Sequence, residues 1–171
     1  MRSTHCWIDK GSQIKKNLGS DKPPQTGNDM SIWTRPLNND MIGQCAQLGG
    51  AARSLGIEIV EIGEDFLSGK LPVDDRTTQP FGLLNGGASC LLAETIGSIA
   101  ANSCVKDLNT TAVGMYLNAS HLRPATSGWV TGTARPKHIG SKTQVWDINI
   151  VNDQDKSICL VTFGVSVIPR P

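Results

Sequence analysis

The side chains best placed for chemistry fall within one short run of this chain: Gln79, Asn85, Gly86, Glu94 and Ser98. Asn85-Gly86-Gly87 opens a stretch with a helical apolar pattern, and the first N–H groups of a helix have no intrahelical partner. A glycine there lets another molecule reach the main chain. Such a start suits a phosphate, or an oxygen that gains negative charge in a transition state. Glu94 lies two turns further in, and Ser98 follows at i+4 on the same face. Leu92, Ala93, Ile96 and Gly97 surround that carboxylate in sequence, which predicts partial desolvation and suits a base or nucleophile. A single Glu on a helix is usually solvated or ion-paired, and a Gly-Gly start usually serves packing. Neither feature is specific alone.

Competing chemistries find less support. Gly86-Gly87-Ala88-Ser89-Cys90 resembles a nucleophile elbow only loosely. There is no phosphate-binding loop, no His-Glu-x-x-His and no dinucleotide fingerprint. The five cysteines are odd in number, widely spaced and without a Cys-x-x-Cys pair, as in a reduced protein rather than a disulfide scaffold or zinc ribbon. The three histidines are too dispersed for the usual metal spacings, so no metal is expected. Lys and Arg total 16 against 15 Asp and Glu, which gives no global field for nucleic acid. No apolar run approaches the roughly 20 residues that span a bilayer, and the first residues carry no signal-peptide pattern. A soluble, cytoplasmic protein is expected.

These groups need elements to hold them. At 171 residues the chain suits one domain. Residues 1–29 are polar, rich in Pro and Gly and without an apolar face. They read as an extension, with Met30 as an alternative first residue of the domain proper. A short helix is predicted over 38–47, with Gly49-Gly50 as its stop. Strands are predicted over 57–62 and 66–73, and one strong helix over 86–102. Four strand-like runs follow at 111–122, 128–137, 143–151 and 157–168, separated by turn residues. The sum is an α+β plan, a long helix followed by an antiparallel meander.

The run Pro72-Val73-Asp74-Asp75-Arg76-Thr77-Thr78-Gln79-Pro80-Phe81-Gly82-Leu83-Leu84-Asn85-Gly86-Gly87-Ala88-Ser89, continued by Leu92-Ala93-Glu94-Thr95-Ile96-Gly97-Ser98, resembles the signature of hotdog-fold acyl-CoA thioesterases. The branch it is most similar to acts on aryl-CoA or aryl-carrier substrates. It includes 1,4-dihydroxy-2-naphthoyl-CoA and 4-hydroxybenzoyl-CoA thioesterases and the proofreading thioesterase of enterobactin synthesis. The likeness continues through Asn118-Ala119-Ser120-His121-Leu122-Arg123 and Lys137-His138-Ile139-Gly140-Ser141-Lys142-Thr143-Gln144-Val145-Trp146, so it spans residues 30–171.

The resemblance implies a hotdog fold, in which a curved antiparallel sheet wraps around the long helix. It makes Glu94 the carboxylate that attacks the thioester carbonyl or activates water. The Gly86 N–H and the Gln79 side chain would polarise the carbonyl oxygen, with Ser98 orienting carboxylate or water. It places Gly114 on the substrate and gives the coenzyme A arm to His121, Leu122, Arg123, His138, Gly140, Ser141, Lys142 and Thr143. Arg and Lys suit phosphate oxygens there. Without the resemblance, the 138–143 turn would read as a solvated hairpin tip. The implied protein is a homo-oligomer, at least a dimer and in the expected form a homotetramer, with Gln79 and Gly86 facing Glu94 across the dimer interface. Its partner is an acyl-CoA or acyl-carrier thioester. No separate cofactor is implied, because coenzyme A belongs to the substrate.

One residue departs from the family pattern. Where the family usually has His, this chain has Asn85. Asn can still donate and accept hydrogen bonds, but it takes up no proton at neutral pH. Activity is expected to persist, reduced, and Asn85→His to raise kcat/KM. The departure also admits a protein that holds acyl-CoA without hydrolysing it. A hotdog dehydratase is disfavoured, because such enzymes use a His at this position. The acyl group is left open, with Phe81, Met115 and Ile99 as the side chains expected to set pocket depth.

Overall fold

The computed structural model describes residues 31–35, 37, 40 and 49–171. The proposed extension 1–29 and all but Asp40 of the helix expected over 38–47 lie outside the described residues. Gly49-Gly50 begins a helix: α1 runs Gly50–Leu55, with Gly49 at its cap at φ 64° and Gly56 closing it at φ 75°. A positive-φ glycine serves at either end of a helix, and the apolar residues that pack, Ala52 and Leu55, follow the pair.

The strands and the long helix fall where the sequence places them, within about two residues. They are β1 (Glu58–Ile62), β2 (Leu67–Pro72), α2 (Gly86–Ser103), β3 (Thr110–His121), β4 (Trp129–Ile139), β5 (Thr143–Asn152) and β6 (Ser157–Pro169). All six strands join one antiparallel sheet in the order β1-β2-β4-β5-β6-β3. The expected four-strand meander is therefore corrected. Only β4-β5-β6 runs as a meander; β3 pairs with β6 and β4 with β2. The connection through α2 carries the chain from β2 across the sheet, so β3 arrives at the far edge.

α2 lies against β2 through β6. Leu92, Ala93, Ile96, Gly97, Ala100 and Ala101 are buried along it, opposite Trp146, Ile148, Phe163 and Val165 of the sheet. A Cβ on Gly97 would stand 2.7 Å from Phe163 Cδ1, so helix and sheet meet here at backbone distance. Trp33 stacks on Trp146 at 6.4 Å between ring centroids, and its Nε1–H donates to the Gly63 carbonyl at 2.7 Å. Among the described residues, no helix is long and apolar enough to cross a membrane.

The two edges of the sheet differ in length. β1 has five residues and β3 twelve, each with one register shift, and Val113, Met115 and Tyr116 of β3 are exposed. Long edges with apolar side chains are templates for pairing with another chain.

Candidate active site

Three contacts dock α2 antiparallel on β3. At the helix C-terminus, Asn102 Nδ2–H donates to the Ala112 carbonyl, and Asn102 Oδ1 accepts from Ala112 N–H and from the Thr111 hydroxyl, each at 2.9 Å. In the middle, Glu94 lies over Gly114: a Cβ there would be 3.1 Å from Glu94 Oε1. At the helix start, a Cβ on Gly86 would be 2.9 Å from His121 Nε2. At both places a larger side chain would have to displace its neighbour, so glycine permits these close approaches.

The helix start is assembled by its preceding loop. Asn85 N–H donates to the Thr77 carbonyl at 2.8 Å, Thr78 and Leu84 form an isolated bridge, and Gln79 N–H donates to the Leu83 carbonyl at 2.8 Å. These bonds bring Gln79 beside the start of α2. Gln79 Oε1 accepts from Phe81 N–H at 2.6 Å. Because a backbone N–H can only donate, the amide oxygen is the atom so engaged, which leaves the NH2 to donate elsewhere. Asn85 is the N-cap: its Oδ1 accepts from Gly87 N–H at 2.8 Å. Gly86 N–H has no hydrogen-bond partner among the described residues. Gln79, Gly86, Ser89, His121, Leu122 and Arg123 line one cavity of about 450 Å³, with Leu83, Leu84, Pro124, Ala125 and Ile158 completing its wall.

Glu94 stands apart from that cavity. Eight residues separate it from Gly86, about 12 Å along a helix. It is the only charged residue of α2, and within the single chain it is exposed rather than partly desolvated. Gly114, beside it, and the neighbouring Met115 are exposed residues of an edge strand. Ser98 is half-buried one turn on, with no hydrogen bond to Glu94 among the described residues. Cys90 lies one turn towards the helix start. Burial, and then the charge of Glu94, push its thiol upward, so it remains protonated and is a poor rival nucleophile.

The segments assigned to the coenzyme A arm also separate. His121 is opposite Cys159 on β6, whereas Gly114 and Gln144 are both opposite Val165. Six residues of strand lie between those levels, about 20 Å. His121, Leu122 and Arg123 thus share the end of the sheet with Gly86, and Arg123 Nη1–H is already donated to the Ser157 carbonyl at 2.6 Å. His138, Gly140, Ser141, Lys142 and Thr143 form the β4–β5 turn at the other end, in line with Gly114. The turn is tight: Gly140 N–H donates to the Thr143 carbonyl at 2.9 Å, and the His138 ring fills the space beside Gly140. His138, Ser141, Lys142 and Thr143 are exposed.

Within the chain the candidate residues therefore fall into two separate groups. One holds Gln79, Gly86, Asn85 and His121–Arg123; the other holds Glu94, Ser98, Gly114 and the 138–143 turn. Ile99, expected to set pocket depth, is instead buried in the core, while Phe81 and Met115 are exposed. Sequence reasoning missed Leu83, Leu84, Ser89, Pro124, Ala125 and Ile158 as cavity walls, and it missed the contact of His121 with Gly86. No local pattern could have linked residues 35 positions apart.

A family model described as "Thioesterase superfamily" matches residues 81–159, a range that takes in Gly86, Glu94 and the 138–143 turn. The 1,4-dihydroxy-2-naphthoyl-CoA hydrolase of Escherichia coli is 41% identical over 128 residues, 75% of this chain and 93% of that protein. The chain belongs to the thioesterase superfamily. Among solved structures, a thioesterase from Haemophilus influenzae is 41% identical with a TM-score of 0.73, covering 81% of this chain and 95% of its own. A mutant thioesterase from Pseudomonas aeruginosa is 38% identical with a TM-score of 0.77, covering 82% and 100%. The fold is the hotdog fold, and the chain is an enzyme of the thioester-hydrolase class.

Proposed function

We propose that this thioesterase hydrolyses acyl-CoA thioesters, aryl-CoA in the first instance, at a site built from two copies of the chain. The separation of Gly86 and Glu94 along α2 carries this reading. At about 12 Å on one helix, they cannot both address one carbonyl carbon within a chain. The free β3 edge offers the remedy. Pairing β3 antiparallel with its twofold-related copy reverses strand and helix together. The Gly86 end of one protomer then meets the Glu94 end of the other, and the His121–Arg123 end meets the 138–143 turn. Exposed Val113, Met115 and Tyr116 on that edge support such pairing.

In the paired site, Gly86 N–H and the Gln79 amide hold the carbonyl oxygen and stabilise the negative charge that develops on it. Glu94 takes the proton of the attacking water, or attacks the carbonyl itself. Gly114 keeps the space beside the carboxylate open, and Ser98 orients it. Pairing also covers Glu94, which supplies the desolvation absent from the single chain. Lys142 and Arg123 give the coenzyme A phosphates cationic partners. Asn85, committed to capping Gly87, holds the Gly86 N–H in place.

The test is release of free thiol from benzoyl-CoA, naphthoyl-CoA and medium-chain acyl-CoA. Turnover is expected on all three, highest on the aryl thioesters. Tight acyl-CoA binding by calorimetry with no thiol release would instead establish a non-hydrolytic acyl-CoA binding protein. Turnover confined to the medium-chain substrate would remove the aryl preference.

A further inference from the structure

We propose that His121 is the acid that protonates the departing thiolate, an assignment that rests on the hydrolytic reading above. His121 Nε2 occupies the space a side chain at Gly86 would fill, 2.9 Å from that Cβ position. Any carbonyl held at Gly86 N–H therefore has the imidazole immediately beside it. The carbonyl oxygen already has two donors, Gly86 N–H and the Gln79 amide, whereas the leaving sulfur has none.

Among the polar groups that the Gly86-bearing chain itself contributes to this cavity, the choice narrows to one. Gln79 carries no transferable proton, and Ser89 is buried and holds its proton at neutral pH. Arg123 holds its protons at any working pH and spends one N–H on the Ser157 carbonyl. Asn85 is committed to the helix cap. Imidazole is the side chain type that gives up a proton near neutrality. In the single chain His121 is exposed at the cavity rim, and water entering as the products leave can recharge it.

The step balances. The carbonyl carbon gains the oxygen of water and loses sulfur; the C–S electron pair stays on sulfur. The proton on His121 Nε2 passes to that thiolate and leaves a free thiol with a neutral imidazole, which takes a proton back from bulk water. The proton lost by the attacking water leaves through Glu94.

Three benzoyl thioesters separate this role from others. Benzoyl-CoA carries an alkyl thiol and the nucleotide, and benzoyl-N-acetylcysteamine carries an alkyl thiol without the nucleotide. S-phenyl thiobenzoate has a thiolate that leaves without protonation. His121→Ala is expected to lower kcat/KM about 10²-fold on the first two, and to leave the third nearly unchanged. His121→Gln, which keeps size and a donor but no transferable proton, is expected to behave alike. A loss on benzoyl-CoA alone would make His121 a nucleotide contact and overturn the assignment. An equal loss on all three, or no loss on any, overturns it too. Wild-type protein inactive on every thioester would sink the hydrolytic reading itself, and this assignment with it.

Discussion

The two ends of the proposed chemistry are built to different standards within one chain. The helix start is held by the 77–85 loop, by the Asn85 cap and by the His121 ring over Gly86. At the Glu94 end the carboxylate lies over Gly114 and is exposed. Donors that stabilise charge must be fixed before reaction, and backbone bonds fix them at the helix start. A carboxylate needs burial to become an effective base, and in the proposed site a second copy supplies that surface.

The largest effect is expected from removing the carboxylate. Glu94→Gln is expected to lower kcat on benzoyl-CoA about 10³-fold with unchanged secondary structure by circular dichroism. Retained turnover would assign the base elsewhere. Gln79→Ala, at the other end, is expected to cost about 10²-fold in kcat through loss of one donor. Mixing the two variants after dissociation and reassociation tests whether the halves come from different chains. Random reassociation makes half the dimers mixed, each with one intact site of two, so activity should recover to roughly a quarter of wild type. Recovery no better than that of the separate variants would place both halves in one chain. The smallest effect is expected at the cap. Asn85→Ala should lower stability by about 1 kcal/mol in urea unfolding, and reduce kcat/KM less than Gln79→Ala does. A larger kinetic than thermodynamic effect would give Asn85 a direct contact with substrate.

Much of this was legible in the residues. The strong helix was visible because Leu92, Ile96 and Ile99 recur at helical spacing, and Asn85 preceding two glycines is a local capping signal. The four later strands were visible from runs bounded by turn residues, and the quoted motifs carried the family. Local pattern failed to show that the positive-φ pair Gly49-Gly50 opens α1, since glycine serves at either end of a helix. It failed again for β3, because strand propensity says nothing about which neighbour a strand pairs with. Ile99 looked like a pocket residue and proved to be core.

The sequence by itself determined the α+β class, the helix, the family motifs and the residue types available for catalysis. These depend on local periodicity and on motif order, both of which are written along the chain. It took the packed chain to show that β3 crosses to the far edge and that His121 comes to rest on Gly86. Both join residues remote in sequence, and such contacts exist only once the chain has packed.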